Sequence, residues 1–322
     1  MKDEHRTKTA LLPHLSPKKF LLDGGIETTL IFHDKLDLPH FAAFTLLETP
    51  EGTAILRRYF KQYLDIAKER DLGFILEAPT WRASHDWGAL LGYDSARLAD
   101  INKRAIALMH SLREDARMGH ETVLVSGCIG PRGDGYVVGS EMSADEAEEF
   151  HRQQVEAFKA AGAEMCTALT MTYTEEAIGI VRAAKSVGLP IVVAFTTETD
   201  GCLPSGQPLA LAIEETDGAT ENGPIYYMVN CAHPDHFSDV LHGTWLDRIG
   251  GFRANASRMS HAELDEAEEL DDGDPKEFGA LHGALVERLP KVHAIGGCCG
   301  TDHRHIGAVA DHFKTIVPAR QP

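Results

Sequence analysis

The strongest constraint on the fold is a regular alternation of short apolar runs with longer helix-like stretches, repeated eight times along the chain. Short apolar runs bounded by turn residues predict β-strands, and the stretches between them predict helices. We predict strands at residues 20–22, 73–77, 122–126, 165–169, 190–195, 226–230, 249–253 and 292–295. The predicted helices cover residues 51–70, 95–118, 143–161, 175–187, 209–215, 234–241, 275–289 and 302–316.

Strands that alternate with helices predict a parallel sheet, because each helix carries the chain back to the start of the next strand. Eight such units in 322 residues predict an α/β protein with a closed (β/α)₈ TIM barrel. A doubly wound open sheet is the alternative. The first strand is followed by Asp-Gly-Gly at 23–25 and not by the G-x-G-x-x-G pattern of dinucleotide-binding sheets, which favours the barrel.

The chain reads as a single domain, since no stretch rich in proline or serine divides it. We predict an N-terminal extension at 1–17 and one barrel domain at 18–318. Residues 263–277 are densely acidic. Their spacing does not match a calcium-binding loop, so we expect a solvated loop or an exposed helix face.

The charge balance excludes some classes of partner. The 49 acidic residues outnumber the 31 basic ones, which gives a net charge of −18, and such a surface repels the phosphates of nucleic acids. We expect no nucleic-acid partner. We find no signal-peptide pattern and no apolar run near the roughly 20 residues that span a membrane. We therefore expect a cytoplasmic protein without a membrane partner, and a homo-oligomer stays compatible with the sequence.

Three of the six cysteines follow predicted strands. Cys231 comes after the sixth strand, and the adjacent Cys298 and Cys299 come after the eighth. The C-terminal ends of barrel strands meet at one face of the barrel, so the three thiols can converge there. Glycines at 296, 297 and 300 allow the sharp turn that lets two neighbouring cysteines face the same point.

Three converging thiols in a cytoplasmic protein indicate a metal site more than a disulfide. Thiolates select soft metals such as Zn²⁺, and three protein ligands leave one position of a tetrahedral site open for a substrate. Three thiolates also keep a metal-bound sulfur electron-rich, which suits a thiolate nucleophile better than a hydrolytic water. We expect the other cysteines, Cys128, Cys166 and Cys202, to be buried without a chemical role.

Four sequence motifs together resemble the homocysteine S-methyltransferase family. They are Asp-Gly-Gly-Ile-Glu-Thr-Thr at 23–29, Asp-Gly-x-x-x-x-Gly at 200–206, Val-Asn-Cys-Ala-His-Pro at 229–234 and Gly-Gly-Cys-Cys-Gly-Thr at 296–301. The last motif, joined to the upstream Asn-Cys, is the most specific. The resemblance extends from about residue 18 to residue 316.

The resemblance implies a (β/α)₈ barrel with Zn²⁺ held by Cys231, Cys298 and Cys299. It also implies methyl transfer to the thiol of homocysteine, which gives methionine. Donors used across the family are S-methylmethionine, S-adenosylmethionine, betaine, and methyl-folate through a corrinoid. The chain has no further domain for a corrinoid, so we expect a small free donor. No general base on the protein is required for this chemistry.

One position departs from the family pattern. The fourth strand of the family commonly ends in Phe-Glu-Thr, whose glutamate holds the amino group of homocysteine, whereas this chain has Leu169 there. Asp23, the other carboxylate credited with the amine, is present. Gly24 and Gly25 are expected to offer backbone N–H groups to the substrate carboxylate.

Glu77, at the end of the second strand, is our candidate for the missing carboxylate. The alternative is that Glu77 pairs with Arg82 or another base and has no role in binding. A different thiol acceptor that lacks the amine is a further alternative, since Leu169 replaces the family glutamate.

Several other residues near the motifs can be interpreted in two ways. His303 and His305 are expected on the surface of a helix that begins after Thr301 or Asp302, and His233 is expected just before another helix. The loop at 130–135 either contacts the donor or is a flexible turn. The aromatic residues Trp81, Trp87 and Tyr93 could face a cationic donor, but we expect them to pack in the core.

Two other functional classes remain to be distinguished from a thiol methyltransferase. A metal-dependent barrel hydrolase is disfavoured, because such enzymes usually use histidine and carboxylate ligands and the first strand carries no His-x-His. A non-enzymatic zinc-storage or redox-sensing protein would use the same three thiols. Methyl-transfer assays with and without a chelator separate these classes.

Overall fold

The computed structural model describes residues 11–313 of the chain, and its centre is a closed barrel of eight parallel strands. Each strand pairs with its neighbours in chain order, and the first strand also pairs with the eighth. This confirms the predicted (β/α)₈ architecture. The strands are β1 Phe20–Leu21, β2 Gly73–Glu77, β3 Val123–Ile129, β4 Met165–Met171, β5 Ile191–Thr196, β6 Tyr227–Asn230, β7 Ile249–Ala254 and β8 Ala294–Gly297.

Helices occupy every connection between strands and form the outer layer. They are α1 Ile26–Thr28, α2 Pro50–Glu69, α3 His85–Leu90, α4 Ser95–Ala116, α5 Ala144–Ala160, α6 Thr174–Ser186, α7 Leu209–Thr220, α8 Pro234–Phe237, α9 His261–Glu266, α10 Pro275–Arg288 and α11 His303–His312. Short 3₁₀ turns lie at Pro13–Leu15, Pro39–Phe41, Ala43–Glu48, Ser238–Val240 and Thr244–Arg248, and a π turn lies at Thr29–His33.

Alternation along the strands divides the apolar residues into two layers. In β2, Phe74 and Leu76 join the cluster that packs against the helices, whereas Ile75 joins a second cluster made almost entirely of strand residues. Successive side chains of a strand point to opposite faces, so this second cluster fills the barrel interior. Glu77 lies two residues after Ile75 and therefore points inward as well, toward the barrel mouth.

Helix boundaries follow local capping chemistry. Helix α2 begins after Thr49, whose side chain accepts a hydrogen bond from Gly52 N (3.0 Å). Helix α5 begins with a complete capping box between Ser143 and Glu146. Such caps satisfy N–H groups that have no partner within the helix. They place the helix starts within one or two residues of the predicted positions.

Three predicted helices differ from the structure. The helix predicted at 209–215 is longer, since α7 continues to Thr220. The helix predicted at 234–241 is wrong in its length: α8 is a single turn that ends at Phe237, and a separate 3₁₀ turn follows. The helix predicted at 302–316 ends at His312 within the described residues, and its predicted end at 316 lies outside them. The predicted extension at 1–17 is described only from residue 11, and its Leu12 packs against the interior cluster.

The acidic residues 263–277 span the end of α9, a loop and the start of α10, and most of them are exposed, as expected. Asp265 also lines the cavity at the barrel mouth. In residues 11–313, no helix combines the length and the apolar character needed to cross a membrane.

Candidate metal centre and active site

The structure brings the three predicted cysteines together at the C-terminal end of the barrel. The Sγ atom of Cys231, after β6, lies 3.0 Å from that of Cys298 and 3.7 Å from that of Cys299, both after β8. All three Sγ atoms lie within 4.8 Å of one another, and they are the only such group of three among residues 11–313. Their role as metal ligands stays a prediction.

The spacing of the thiols suits a tetrahedral metal site. Sulfur ligands bound to Zn²⁺ at about 2.3 Å lie about 3.8 Å apart in a tetrahedron, which is close to the 3.7 Å between Cys231 and Cys299. The hydrogen bonds from Cys298 and with Cys299 raise the pKa of the Cys231 thiol. A bound cation would remove this cost, since it stabilises thiolates directly.

The backbone at Cys231 is held in an unusual conformation. Its φ of 55° lies in the left-handed region, which a non-glycine residue adopts only where its surroundings enforce it. The carbonyl oxygen of Cys231 accepts hydrogen bonds from Asn255 Nδ2 (3.0 Å) and His261 Nε2 (2.7 Å). These contacts fix the turn that directs the thiol toward Cys298.

The asparagine of the Asn-Cys motif connects β6 to β4. Asn230 Oδ1 accepts a hydrogen bond from Thr170 N, and Asn230 Nδ2 donates to Thr170 Oγ1, both at 2.9 Å. Thr170 also has a positive φ, and the strand pairing is irregular between Ala168 and Met171. Asn230 therefore holds the bulged end of β4 beside the cysteines.

The glycine-rich motifs at 23–25 and 296–301 pack directly against each other. A Cβ atom on Gly25 would lie 2.5 Å from the carbonyl oxygen of Cys298, so only glycine allows this approach. Gly297 N donates to Asp23 O (2.9 Å), and Cys298 N donates to Ala254 O (2.8 Å). Gly300 has a φ of 78°, which turns the chain after the adjacent cysteines.

Tyr136 covers the thiols and was missed by the sequence analysis. Its hydroxyl lies 3.2 Å from Cys299 Sγ and 3.3 Å from Cys231 Sγ. Its ring stacks on His261, with the ring centroids 4.1 Å apart. Burial raises the pKa of Tyr136 well above its ordinary value, so the hydroxyl remains protonated. It shields the thiols from solvent on the β3 side.

A cavity of about 330 Å³ opens beside the thiols. It is lined by each of the four residues predicted to bind substrate, which are Asp23, Gly24, Gly25 and Glu77, and by the three cysteines. Leu169 also lines it, so the wall has an apolar side chain where the family pattern has a glutamate. The structure places these residues at one site, and their substrate contacts stay a prediction.

Arg253, at the end of β7, joins the two predicted carboxylates. It is as buried as they are and forms ion pairs with Glu77 and with Asp23, the latter at 3.0 Å. Burial raises the pKa of both carboxyls, and the nearby guanidinium lowers it. Two carboxylates against one guanidinium leave one net negative charge when both acids are ionised.

The remaining hydrogen bonds distinguish Asp23 from Glu77. Asp23 Oδ1 accepts from Arg253, and Asp23 Oδ2 accepts from the Tyr59 hydroxyl (3.0 Å). Glu77 Oε2 accepts from Arg253, whereas the buried Glu77 Oε1 forms no hydrogen bond within the described residues, although the nearby Thr167 hydroxyl counteracts part of the rise in the pKa of Glu77. The pairing of Glu77 with a base is confirmed, and the base is Arg253; a role of Glu77 in substrate binding stays a prediction.

The backbone N–H of Gly25 is engaged within the protein. It donates to the carbonyl oxygen of Thr301 (3.0 Å). The sequence predicted that this N–H donates to the carboxylate of a substrate. In this structure it donates to Thr301 instead, because the two glycine-rich motifs pack closely. Gly25 still lines the cavity, so a role in shaping it remains.

Other residues lie differently from expectation. Trp81 and Trp87 line the cavity, Trp81 also packs against the interior apolar cluster, and Tyr93 is buried in the core as expected. Cys128 and Cys166 are buried as expected, although Cys128 also lines the cavity, whereas Cys202 is only partly buried. The loop at 130–135 reaches the cavity through Asp134 and Gly135.

The histidines do not join the thiols. His303 is exposed as expected, but His305 is buried, which corrects the expectation of a surface residue. His305 Nε2 donates to the carbonyl oxygen of Asp272 (2.8 Å), which draws it inward. His233 precedes α8 as expected and caps it by accepting from Asp235 N.

Comparisons with known proteins agree with the geometry. A family model described as "Homocysteine S-methyltransferase" matches residues 20–313. A curated relative, "Homocysteine S-methyltransferase 1" of Arabidopsis thaliana, is 23% identical over 339 residues and covers 95% of this chain and 98% of its own.

Solved structures of the homocysteine methyltransferase MmuM from Escherichia coli share the fold. The metallated form is 19% identical with a TM-score of 0.69, and the match covers 91% of this chain and 96% of that one. The oxidized form is 21% identical with a TM-score of 0.67, and the match covers 91% and 95%.

Proposed function

The chain belongs to the homocysteine S-methyltransferase family and is a methyltransferase, and from this premise we propose that it transfers a methyl group from a small free donor to the thiol of homocysteine. The observation that carries the proposal is the convergence of three thiols beside a cavity that also contains buried carboxylates. S-methylmethionine, S-adenosylmethionine and betaine are the donors within the proposal. The product is methionine.

We propose Zn²⁺ as the metal, held by Cys231, Cys298 and Cys299. A bound zinc ion supplies a Lewis acid that lowers the pKa of an acceptor thiol, so that the sulfur reacts as a thiolate at neutral pH. Support comes from the donor set: three soft sulfur ligands, with no histidine or carboxylate oxygen among them. The same set disfavours a hydrolase.

The transfer balances without a base on the protein. A bond forms between the acceptor sulfur and the methyl carbon while the bond from that carbon to the donor's sulfur or nitrogen breaks. The electron pair stays on the leaving group, and the thiol proton goes to solvent. The protein holds the two substrates in line and excludes water from the cavity, with Leu169 and Tyr136 forming part of its wall.

We propose that Glu77 holds the amino group of homocysteine. Its Oε1 is buried and has no partner among the described residues, and an ammonium group would satisfy it. The net negative charge left by Asp23, Glu77 and Arg253 favours a cation at this point. Asp23, Gly24 and Gly25 complete the wall on the β1 side.

The test measures methyl transfer from each of the three donors to homocysteine, with and without a chelator. Turnover with one donor that the chelator abolishes and added zinc restores supports the proposal. Bound zinc without turnover indicates the storage alternative. Glu77→Gln should raise the KM for homocysteine about 10-fold or more, and an unchanged KM removes Glu77 from the site.

A different acceptor thiol is the second candidate, favoured by Leu169 in the cavity wall. Turnover with thiols that lack an amine, at rates above those with homocysteine, would establish it. We further propose a cytoplasmic location, an extension at 1–17 and a barrel domain at 18–318. The matched residues 20–313 support the domain.

A further inference from the structure

Arg82 is a buried cation that forms no ion pair with a carboxylate among residues 11–313. It is 5% exposed, and its guanidinium lies between the indole rings of Trp81 and Trp87, 3.9 Å from each ring centroid. Its Nη1 donates to Gly133 O (2.9 Å), whereas the buried Nε has no partner within the described residues. Burial lowers the pKa of Arg82 to about 10, so the group remains charged at neutral pH.

Two other arginines are buried to the same extent. Arg113 and Arg253 are each 5% exposed, and both form ion pairs: Arg113 with Glu164, and Arg253 with Asp23 and Glu77. A buried charge is costly unless it is paired and hydrogen-bonded. Among the buried arginines in residues 11–313, Arg82 alone forms no ion pair; its charge is met by one hydrogen bond and by the two indole rings.

The residues that carry the unpartnered donors line the active-site cavity. Arg82, Trp81 and Trp87 all line the cavity that contains the three cysteines. Trp81 Nε1 is a second buried donor without a partner there. A buried guanidinium that lines the cavity and forms no ion pair within residues 11–313 indicates a ligand with acceptor oxygens.

The charges around Arg82 indicate a singly charged ligand. Asp134 and Glu27 line the same cavity and favour the charged form of Arg82, but neither lies within ion-pair distance of it among the described contacts. Asp134 would repel a phosphate that carries two negative charges more strongly than a ligand that carries one. A carboxylate matches the single charge and the planar fork of the guanidinium.

We propose that Arg82 binds the carboxylate of an amino-acid substrate, which makes it a specificity-determining residue for the methyl transfer. This inference rests on the proposed function for the identity of the substrates. Because Gly25 N donates to Thr301, that amide does not compete for the carboxylate in this structure. Homocysteine carries a carboxylate and so do the three candidate donors, so either substrate can be the ligand.

The test compares wild type with Arg82→Gln using substrates with and without the carboxylate. The acceptors are homocysteine and aminopropanethiol, its decarboxylated analogue, and the donors are S-methylmethionine and the trimethylsulfonium ion. Loss of a charge-assisted hydrogen bond should raise the KM of the carboxylate-bearing partner about 10- to 100-fold. The KM of the analogue without the carboxylate should stay the same.

The arms of the experiment identify the source of the carboxylate. A rise confined to homocysteine places the acceptor at Arg82, and a rise confined to S-methylmethionine places the donor there. Arg82→Lys should recover part of the affinity because it restores the charge without the planar fork. Arg97→Gln is the matched control, since Arg97 stacks on Tyr93 at 4.0 Å but is half-exposed and outside the cavity lining.

Equilibrium binding separates failure of this inference from failure of the proposed function. Calorimetry with homocysteine, S-methylmethionine and their analogues reports on Arg82 even if the wild type shows no turnover. The inference is overturned if wild type and Arg82→Gln bind the carboxylate-bearing ligands with equal affinity. It is also overturned if the variant loses as much affinity for the analogues that lack the carboxylate. Absence of binding to the wild type overturns both proposals.

Discussion

Replacing Arg253 with methionine tests whether the charges at the centre of the site are balanced as described. Arg253, Asp23 and Glu77 are each no more than 5% exposed, so the variant leaves two carboxylates buried without their cation. Removing one partner of a buried ion pair costs about 3–5 kcal/mol. That loss is a large part of a total stability of about 5–15 kcal/mol.

The control is Arg258→Met, because Arg258 also forms ion pairs with two carboxylates, those of Asp235 and Glu277. Arg258 is 49% exposed, and surface pairs contribute about 1 kcal/mol or less. Urea denaturation of both variants measures the free energy of unfolding. We expect Arg253→Met to lose at least about 2 kcal/mol more than the control at pH 8.

The unfolding free energy that Arg253→Met loses relative to the control, its deficit, should change with pH in a definite direction. Burial already raises the pKa of Asp23 and Glu77, and loss of the guanidinium raises both further. A carboxyl whose pKa is raised on folding destabilises the folded state increasingly as the pH rises from the unfolded pKa toward the raised folded pKa. The deficit should therefore shrink near pH 5 and grow toward pH 8. Equal losses in both variants, or a deficit independent of pH, would refute the described charge balance.

Two further predictions concern neighbouring residues. Asn230→Ala removes both hydrogen bonds to Thr170, so we expect the free energy of unfolding to fall by about 2 kcal/mol. We also expect the variant to retain its metal about 10-fold more weakly in chelator competition. Wild-type values in both measurements would contradict the role of Asn230. Burial raises the pKa of Glu27 to about 7. Between pH 5 and pH 8, the free energy of unfolding of the wild type should therefore fall by on the order of 2 kcal/mol relative to that of Glu27→Gln. Parallel curves of unfolding free energy against pH would rule this out.

The barrel could be predicted from the sequence because its signal is local. Each strand is an apolar run whose neighbours in the chain are helices, and β2 begins and ends at the predicted residues. The connection after β6 was less predictable. Pro234 begins a helix, but the chain leaves it after one turn and continues into a 3₁₀ segment, which no pattern in the sequence marks.

The placement of the cysteines was also predictable, since barrel topology brings strand ends to one face. The partners of Asp23 and Glu77 were not. Arg253 lies 176 residues from Glu77 in the chain, and the ion pair depends on which inward-facing side chains of β1, β2 and β7 meet across the barrel. An arginine at the end of a buried strand was the available signal.

Tyr136 and Arg82 show a second limit of sequence analysis. Both lie in connections after strands, where no periodicity predicts which way a side chain points. Trp81 and Trp87 were expected in the core because aromatic side chains usually pack there. Both line the cavity with the guanidinium of Arg82 between their rings, and Trp81 also packs against the interior apolar cluster.

The most direct test of the proposed metal centre is the zinc content of the reduced protein, measured by elemental analysis together with methyl transfer to homocysteine. We predict about one zinc ion per chain in the wild type, and loss of both zinc and turnover when Cys231, Cys298 or Cys299 is replaced by serine. An active wild type without zinc, or a serine variant that keeps its turnover, would contradict it.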